Sequence, residues 1–252
     1  MYRRYQLTLS NADMVTLQTY PDYKPIPREV SDSQMELSLQ TRNANWILDN
    51  WFKNYSADVF LSHSSVDDKL ARKVARILTD CGLRVFVDSD LWGRIDKMQR
   101  NVDNKHAVLR WKENGSAEIY DYDKRNVTTG HTHVLLTYAL TRMIDMTECF
   151  LFLSTPNSVI ECREDSLDTY SPWLFHELEM SRVISRQEPA RLLSKIACES
   201  FSLKFKYSAS AEDLTDISLS DLNNVASVYH KQRQLHGLAP QAFLDYLYNK
   251  HV

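Results

Sequence analysis

The segment from Asp58 to Asp90 constrains the fold of this chain more than any other. Asp58-Val59-Phe60-Leu61-Ser62 is a short apolar run ended by the polar turn His63-Ser64-Ser65. Residues 66–80 carry Leu70, Val74, Ile77 and Leu78 at helical spacing, with Asp67 and Asp68 in the first turn, where the helix dipole favours acidic side chains. Cys81-Gly82 then supplies a stop, because glycine takes the left-handed conformation that ends helices. Leu83-Arg84-Val85-Phe86-Val87 is a second apolar run, closed by Asp88-Ser89-Asp90. Strand, crossover helix and strand within about 30 residues make a βαβ unit, so the two strands should be parallel.

The rest of the chain extends this pattern. Cys149-Phe150-Leu151-Phe152-Leu153-Ser154 reads as a third buried strand, preceded by a helix over roughly 128–147 with Val134, Leu135, Tyr138, Ile144 and Met146 at its apolar positions. Ser171 as N-cap and Pro172 at the first helical position announce another helix, running to about Arg186. A further strand is expected within 192–207, and residues 212–250 look helical. Residues 91–126 and 156–170 read as irregular loops, the first long enough to be functional or disordered. The architecture is open α/β.

At the N-terminus, residues 1–42 are polar and turn-rich, with Pro21, Pro25 and Pro27 close together, and read as an extension that the fold can lose. Residues 43–55 follow a helical pattern, Ile47 and Trp51 four apart and Leu48 and Phe52 likewise. That apolar face needs cover from its own domain or from a partner. The expected organisation is therefore a 1–55 extension with an amphipathic helix, a 56–207 domain and a 208–252 helical extension.

Composition excludes several classes. In 252 residues, 43% hydrophobic content provides for a core and argues against wholesale disorder. A net charge of −3 offers no field to hold nucleic acid. The most apolar window, Val134 to Leu153, is interrupted by Arg142, Asp145 and Glu148, so no membrane span is expected; the start, MYRRYQLTLSNADMV, lacks a signal-peptide core. Cys81, Cys149, Cys162 and Cys198 follow neither a zinc spacing nor a disulfide framework, which points to reduced thiols in a cytoplasmic protein. The His131-Thr132-His133 pair suggests a metal site, but on a helix its rings point apart and no Cys or carboxylate accompanies it. No metal site is expected.

Ligands of open parallel sheets bind beyond the carboxyl ends of the strands. Three segments converge there: Ser62-His63-Ser64, Asp88-Ser89-Asp90, and the helix after the third strand, where Trp173 and Glu177 lie four apart on one face. An aromatic wall one turn before a carboxylate suits a flat or cationic substrate. Each residue also has a plainer reading. Glu177 is otherwise a solvated helix glutamate, Trp173 a packing residue, His63 a turn residue bonded to nearby backbone, and Asp88 the end of a strand.

Four segments in this order, DVFLSHSSVDD, GLRVFVDSDL, FLFLS and SPWLFHELEM, resemble a TIR (Toll/interleukin-1 receptor-like) domain over about residues 56–205. The resemblance implies a flavodoxin-like parallel sheet with helices on both faces. In the enzymatically active members the glutamate of a Trp-x-x-x-Glu motif is catalytic, which falls on Glu177 with Trp173 as its aromatic. Ser62, His63, Asp88 and Trp173 are then the expected substrate-binding residues. The reaction implied is cleavage of the nicotinamide–ribose bond of NAD+, a substrate here and not a cofactor, giving ADP-ribose or a cyclic product. The resemblance further implies a homo-oligomer built through TIR–TIR contacts, a downstream effector and a role in bacterial antiphage defence; its alternative is a non-catalytic TIR scaffold. The chain departs from the family at His63-Ser64-Ser65 and in the expanded 91–126 loop.

Overall fold

In this computed structural model, residues 1–21, 23, 56–115, 117–163, 166–193 and 214–250 are described. The amphipathic pattern at 43–55 lies outside them, as does most of 192–207. The chain begins with β1 (Arg3–Thr8) and α1 (Asn11–Gln18), and continues through β2 (Val59–Ser62), a 3-10 turn (Ser65–Asp67), α2 (Asp68–Asp80) and β3 (Val85–Val87). Then come α3 (Ser89–His106), the strands β4 (Val108–Trp111) and β5 (Ala117–Tyr120), and α4 (Tyr122–Met146). After β6 (Cys149–Ser154) the strands β7 (Ile160–Arg163) and β8 (Ser166–Asp168) precede α5 (Pro172–Val183) and the short α6 (Ala190–Leu193). β9 (Thr215–Ser218), α7 (Leu219–His236) and α8 (Ala242–Lys250) complete the described chain.

The apolar runs do what their composition dictates. β2, β3 and β6 are buried at every position, as strands covered on both faces must be. They join a five-stranded sheet in the order β3-β2-β6-β1-β9, parallel throughout. The fold is thus α/β, a parallel sheet flanked by helices and compatible with a flavodoxin-like open sheet. Gly82 ends α2 at φ +88, a conformation that side-chain-bearing residues rarely adopt, and a Cβ there would also press on Arg233 Nη1 at 3.0 Å and Pro240 at 3.2 Å.

Both ends of the chain belong to this sheet, which corrects the expected extensions. β1 lies between β6 and β9, pairing with each. Its polar lettering hid it: Tyr5 and Leu7 point into the main core, while the alternate position Arg4 is buried too, its Nε donating to Ser181 Oγ at 3.0 Å. At the other end β9 supplies a further strand of the sheet, while the strand expected within 192–207 falls mostly outside the described residues. Ile217, Leu219, Leu222, Tyr229, Phe243, Leu244 and Leu247 join the same core, so residues 215–248 are structural parts of the sheet domain. The stretches expected to be irregular are also ordered into elements: α3 and an antiparallel β4–β5 hairpin within 91–126, and an antiparallel β7–β8 pair within 156–170. β4 and β5 lack an apolar alternation because those two strands bury no residue fully.

Contacts divide the described residues into two units, the sheet domain (residues 1–23, 56–88 and from 144 on) and residues 89–143. Within the second unit, Asp103 is buried and accepts hydrogen bonds from Gln99 at 2.8 Å and Thr128 at 2.6 Å, fastening α3 to α4. Tyr120 donates to Asn104 at 2.6 Å and fastens the hairpin to α3.

Strand register sorts the sheet's side chains by face. One face carries Tyr5, Leu7, Val59, Leu61, Val85, Val87, Leu151 and Leu153, under α2, α7 and α8. The other carries Phe60 against Phe86, centroids 5.1 Å apart, and against Phe150, 5.7 Å apart. Two residues past Phe60 and Phe86 on this same face come Ser62 and Asp88. The aromatic face therefore ends, at the carboxyl edge of the sheet, in polar groups.

Candidate active site

From β2 the chain runs outward to β3, and from β3 its next sheet strand is β6, on the opposite side of β2. Such a reversal opens a crevice at the carboxyl ends of the strands. Ser62 ends β2 at this position, and α5 brings Glu177 to it. Ser171 caps α5, its side chain accepting from the Leu174 N–H, and Pro172 occupies the first turn, as the sequence signals require. Leu174, Glu177 and Ser181 then form the buried stripe of the helix.

Glu177 is not a surface residue: its relative exposure is 0%. Ser62 Oγ donates to Glu177 Oε2 at 2.6 Å, while Oε1 has no donor among the described residues. Burial pushes the carboxyl well above its usual value of 4.5, and the negative charge of Asp88 pushes it further; the Ser62 hydroxyl and the charge of His63 act the other way without overcoming them. A solvated-glutamate reading is thereby excluded.

His63, the first residue beyond β2, is 3% exposed. Its Nδ1 lies 2.6 Å from Asp88 Oδ1 and its Nε2 lies 3.7 Å from Asp68 Oδ1. Each ring nitrogen is thus paired with a carboxylate. Burial alone would lower the imidazole; the charge of Asp88, helped by Asp68 and by Glu177, reverses this and raises it to about 10. His63 is therefore an imidazolium at neutral pH. It is neither a turn residue bonded to backbone nor a free base.

Asp88, at 4% exposure, is paired with the His63 ring at 2.6 Å and lies near enough to Glu177 for its charge to act there. Trp173 is half-buried, one turn before Glu177. The structure brings Ser62, His63, Asp88 and Glu177 together, and adds Asp68, which the sequence reading treated only as a first-turn helix acid. Asp68 is itself shared with Arg72, at 2.9 Å. A neighbouring buried acid, Asp67, accepts from Thr155 Oγ1 at 2.5 Å and from Asn157 Nδ2 at 2.9 Å, tying the loop after β6 to the start of α2. Only the spacing of Asp67 from a hydrophobic helix stripe was visible beforehand, and it does not reveal a partner 88 residues away. Among the described residues no cluster of His, Cys, Asp and Glu has the form of a metal site, and no helix is long and apolar enough to cross a membrane.

One consequence can be measured directly on stability. Because His63 keeps its proton to about pH 10 when folded but only to about 6.5 when unfolded, the native state binds more protons between those values. The stabilisation is complete below about pH 6.5 and is lost as pH rises through about 10, with a limiting slope of about 1.4 kcal/mol per pH unit. Denaturant titrations at pH 6.5 and 8.5 should show the wild type weakening, and His63→Gln should flatten that dependence. An equal slope in the variant would refute the assignment.

Comparison of the chain with protein-family models, with curated proteins and with solved structures finds no match.

Proposed function

We propose that this chain is a TIR-type NAD+ glycohydrolase or cyclase in which Glu177 is the catalytic residue. The observation that carries the reading is the enclosed Glu177 carboxyl, held by Ser62 at the switch point of a parallel sheet, one turn from Trp173. Nicotinamide leaves NAD+ as a neutral molecule, so its departure needs no general acid. What develops is positive charge on the ribose, and one preorganised carboxylate suffices to stabilise it. A single carboxylate of this kind differs from the acid–base pair of ordinary glycosidases. Water, or a nitrogen of the adenine, then captures the ribose carbon. In this reading Ser62 orients the carboxylate, Trp173 offers a face to the nicotinamide ring, and His63 and Asp88 set the charge beside it. NAD+ must displace whatever covers Glu177, and its own cationic ring favours the ionised carboxylate as it binds.

The wider reading is of a cytoplasmic, self-associating enzyme that serves antiphage defence through a downstream effector. It rests on the family resemblance. A second reading is favoured by the complete enclosure of Glu177: a TIR interaction module that keeps the motif for packing. Incubating the full-length chain with NAD+ across a hundredfold range of protein concentration and resolving nicotinamide separates the two. The enzyme releases nicotinamide, with specific activity rising with concentration. No nicotinamide at any concentration would leave the scaffold reading in its place.

A further inference from the structure

We propose that His63 is a positioning residue for this site: clamped between Asp88 and Asp68, its imidazolium neutralises Asp88 beside Glu177 and so governs when the Glu177 carboxylate is ionised. The proposal deepens the reading above and rests on it for its link to catalysis. Its basis is geometric. His63 and Asp88 lie at the ends of adjacent strands, 2.6 Å apart, both nearly excluded from solvent, and Glu177 comes down onto the same edge through its bond to Ser62. In so enclosed a place a charge acts on its neighbours far more strongly than in water.

Among the described residues, charged groups reach this edge from three elements. α2 contributes Asp68, shared between His63 and Arg72, while Asp67 at its start is occupied by Thr155 and Asn157. The end of β3 contributes Asp88, and α5 contributes Glu177, with His176 half-buried before it. At the end of β6 stand the uncharged Ser154 and Thr155. Of these groups, Asp88 disfavours the ionised Glu177 and His63 favours it. Removing one or the other should therefore move Glu177 in opposite directions, a signature that loss of packing does not produce.

The test is a side-chain carboxyl carbon NMR titration of the full chain carrying labelled glutamate, with the Glu177 resonance identified by its absence in Glu177→Gln. His63→Gln should raise the Glu177 inflection by about one pH unit, and Asp88→Asn should lower it by about as much. The double variant, lacking both charges, should fall between them. In the NAD+ assay, the loss in kcat for His63→Gln should recover as pH is raised, with KM little changed. Ring-nitrogen NMR of the wild type needs no variant: the His63 ring should stay doubly protonated above pH 8. A neutral ring at pH 7, an unmoved Glu177 inflection, or shifts of the same sign in both single variants would overturn the proposal. If no NAD+ is cleaved but the titrations behave as stated, the functional reading fails and the charge coupling stands.

Discussion

Replacing Glu177 by glutamine is expected to reduce nicotinamide release by at least about 10²-fold, the scale of removing one main electrostatic stabiliser, while the melting temperature holds or rises. The two halves of this expectation come from the same observation. Glu177 is fully buried and its carboxyl is held well above the usual range, so the folded protein favours the neutral acid. Glutamine reproduces that neutral shape. Its carbonyl oxygen can accept from Ser62 Oγ as Oε2 does at 2.6 Å, and its amide can donate toward Asp88. What it cannot do is become an anion when charge develops on the ribose. Near-normal cleavage by a folded Gln variant would end the case for Glu177 as the catalytic residue. A large loss of stability would show that the ionised form is what the fold requires, and would favour the packing role. The expectation also replaces the reading of this glutamate as a tolerant surface position, which followed from helical periodicity alone.

What could be read from the sequence, and what could not, follows from how far each element depends on distant partners. β2, β3 and β6 announce themselves because a strand buried on both faces must be apolar at nearly every position, and α5 because Ser171 and Pro172 mark its start locally. Ser62, Asp88 and Glu177 could be placed at one edge because strand ends and helix starts are themselves local signals. β1 could not, since Arg3, Arg4 and Gln6 interrupt its apolar residues and the burial of Arg4 makes sense only once Ser181 on α5 is opposite. β9 has a single buried residue, Ile217, and carries too little pattern to stand out. The His63–Asp88 pairing is invisible for the same reason. Each residue lies one position past its own strand, and only the register of β2 on β3 brings them to 2.6 Å.

The position of β1 sets the second large expectation, which concerns the fold itself. Leu7→Ala should destabilise the sheet domain by about 2–5 kcal/mol, the range for truncating a fully buried leucine, and lower its melting temperature by roughly 5–20 °C. Leu7 is 0% exposed, its strand paired with β6 on one side and β9 on the other. Val15, only eight residues on in α1, is 65% exposed. Val15→Ala should change stability by no more than about 0.5 kcal/mol, which makes it the matched control. Deleting residues 1–10 goes further. It removes Tyr5, Leu7 and Leu9 from the core and leaves the facing edges of β6 and β9 without hydrogen-bond partners. Three such losses, about 6–15 kcal/mol together, are as large as the roughly 5–15 kcal/mol by which domains are usually stable. The truncated chain should be insoluble or unfolded by circular dichroism. If it instead keeps a cooperative transition near that of the full chain, β1 is dispensable and the sheet closes β6 directly onto β9.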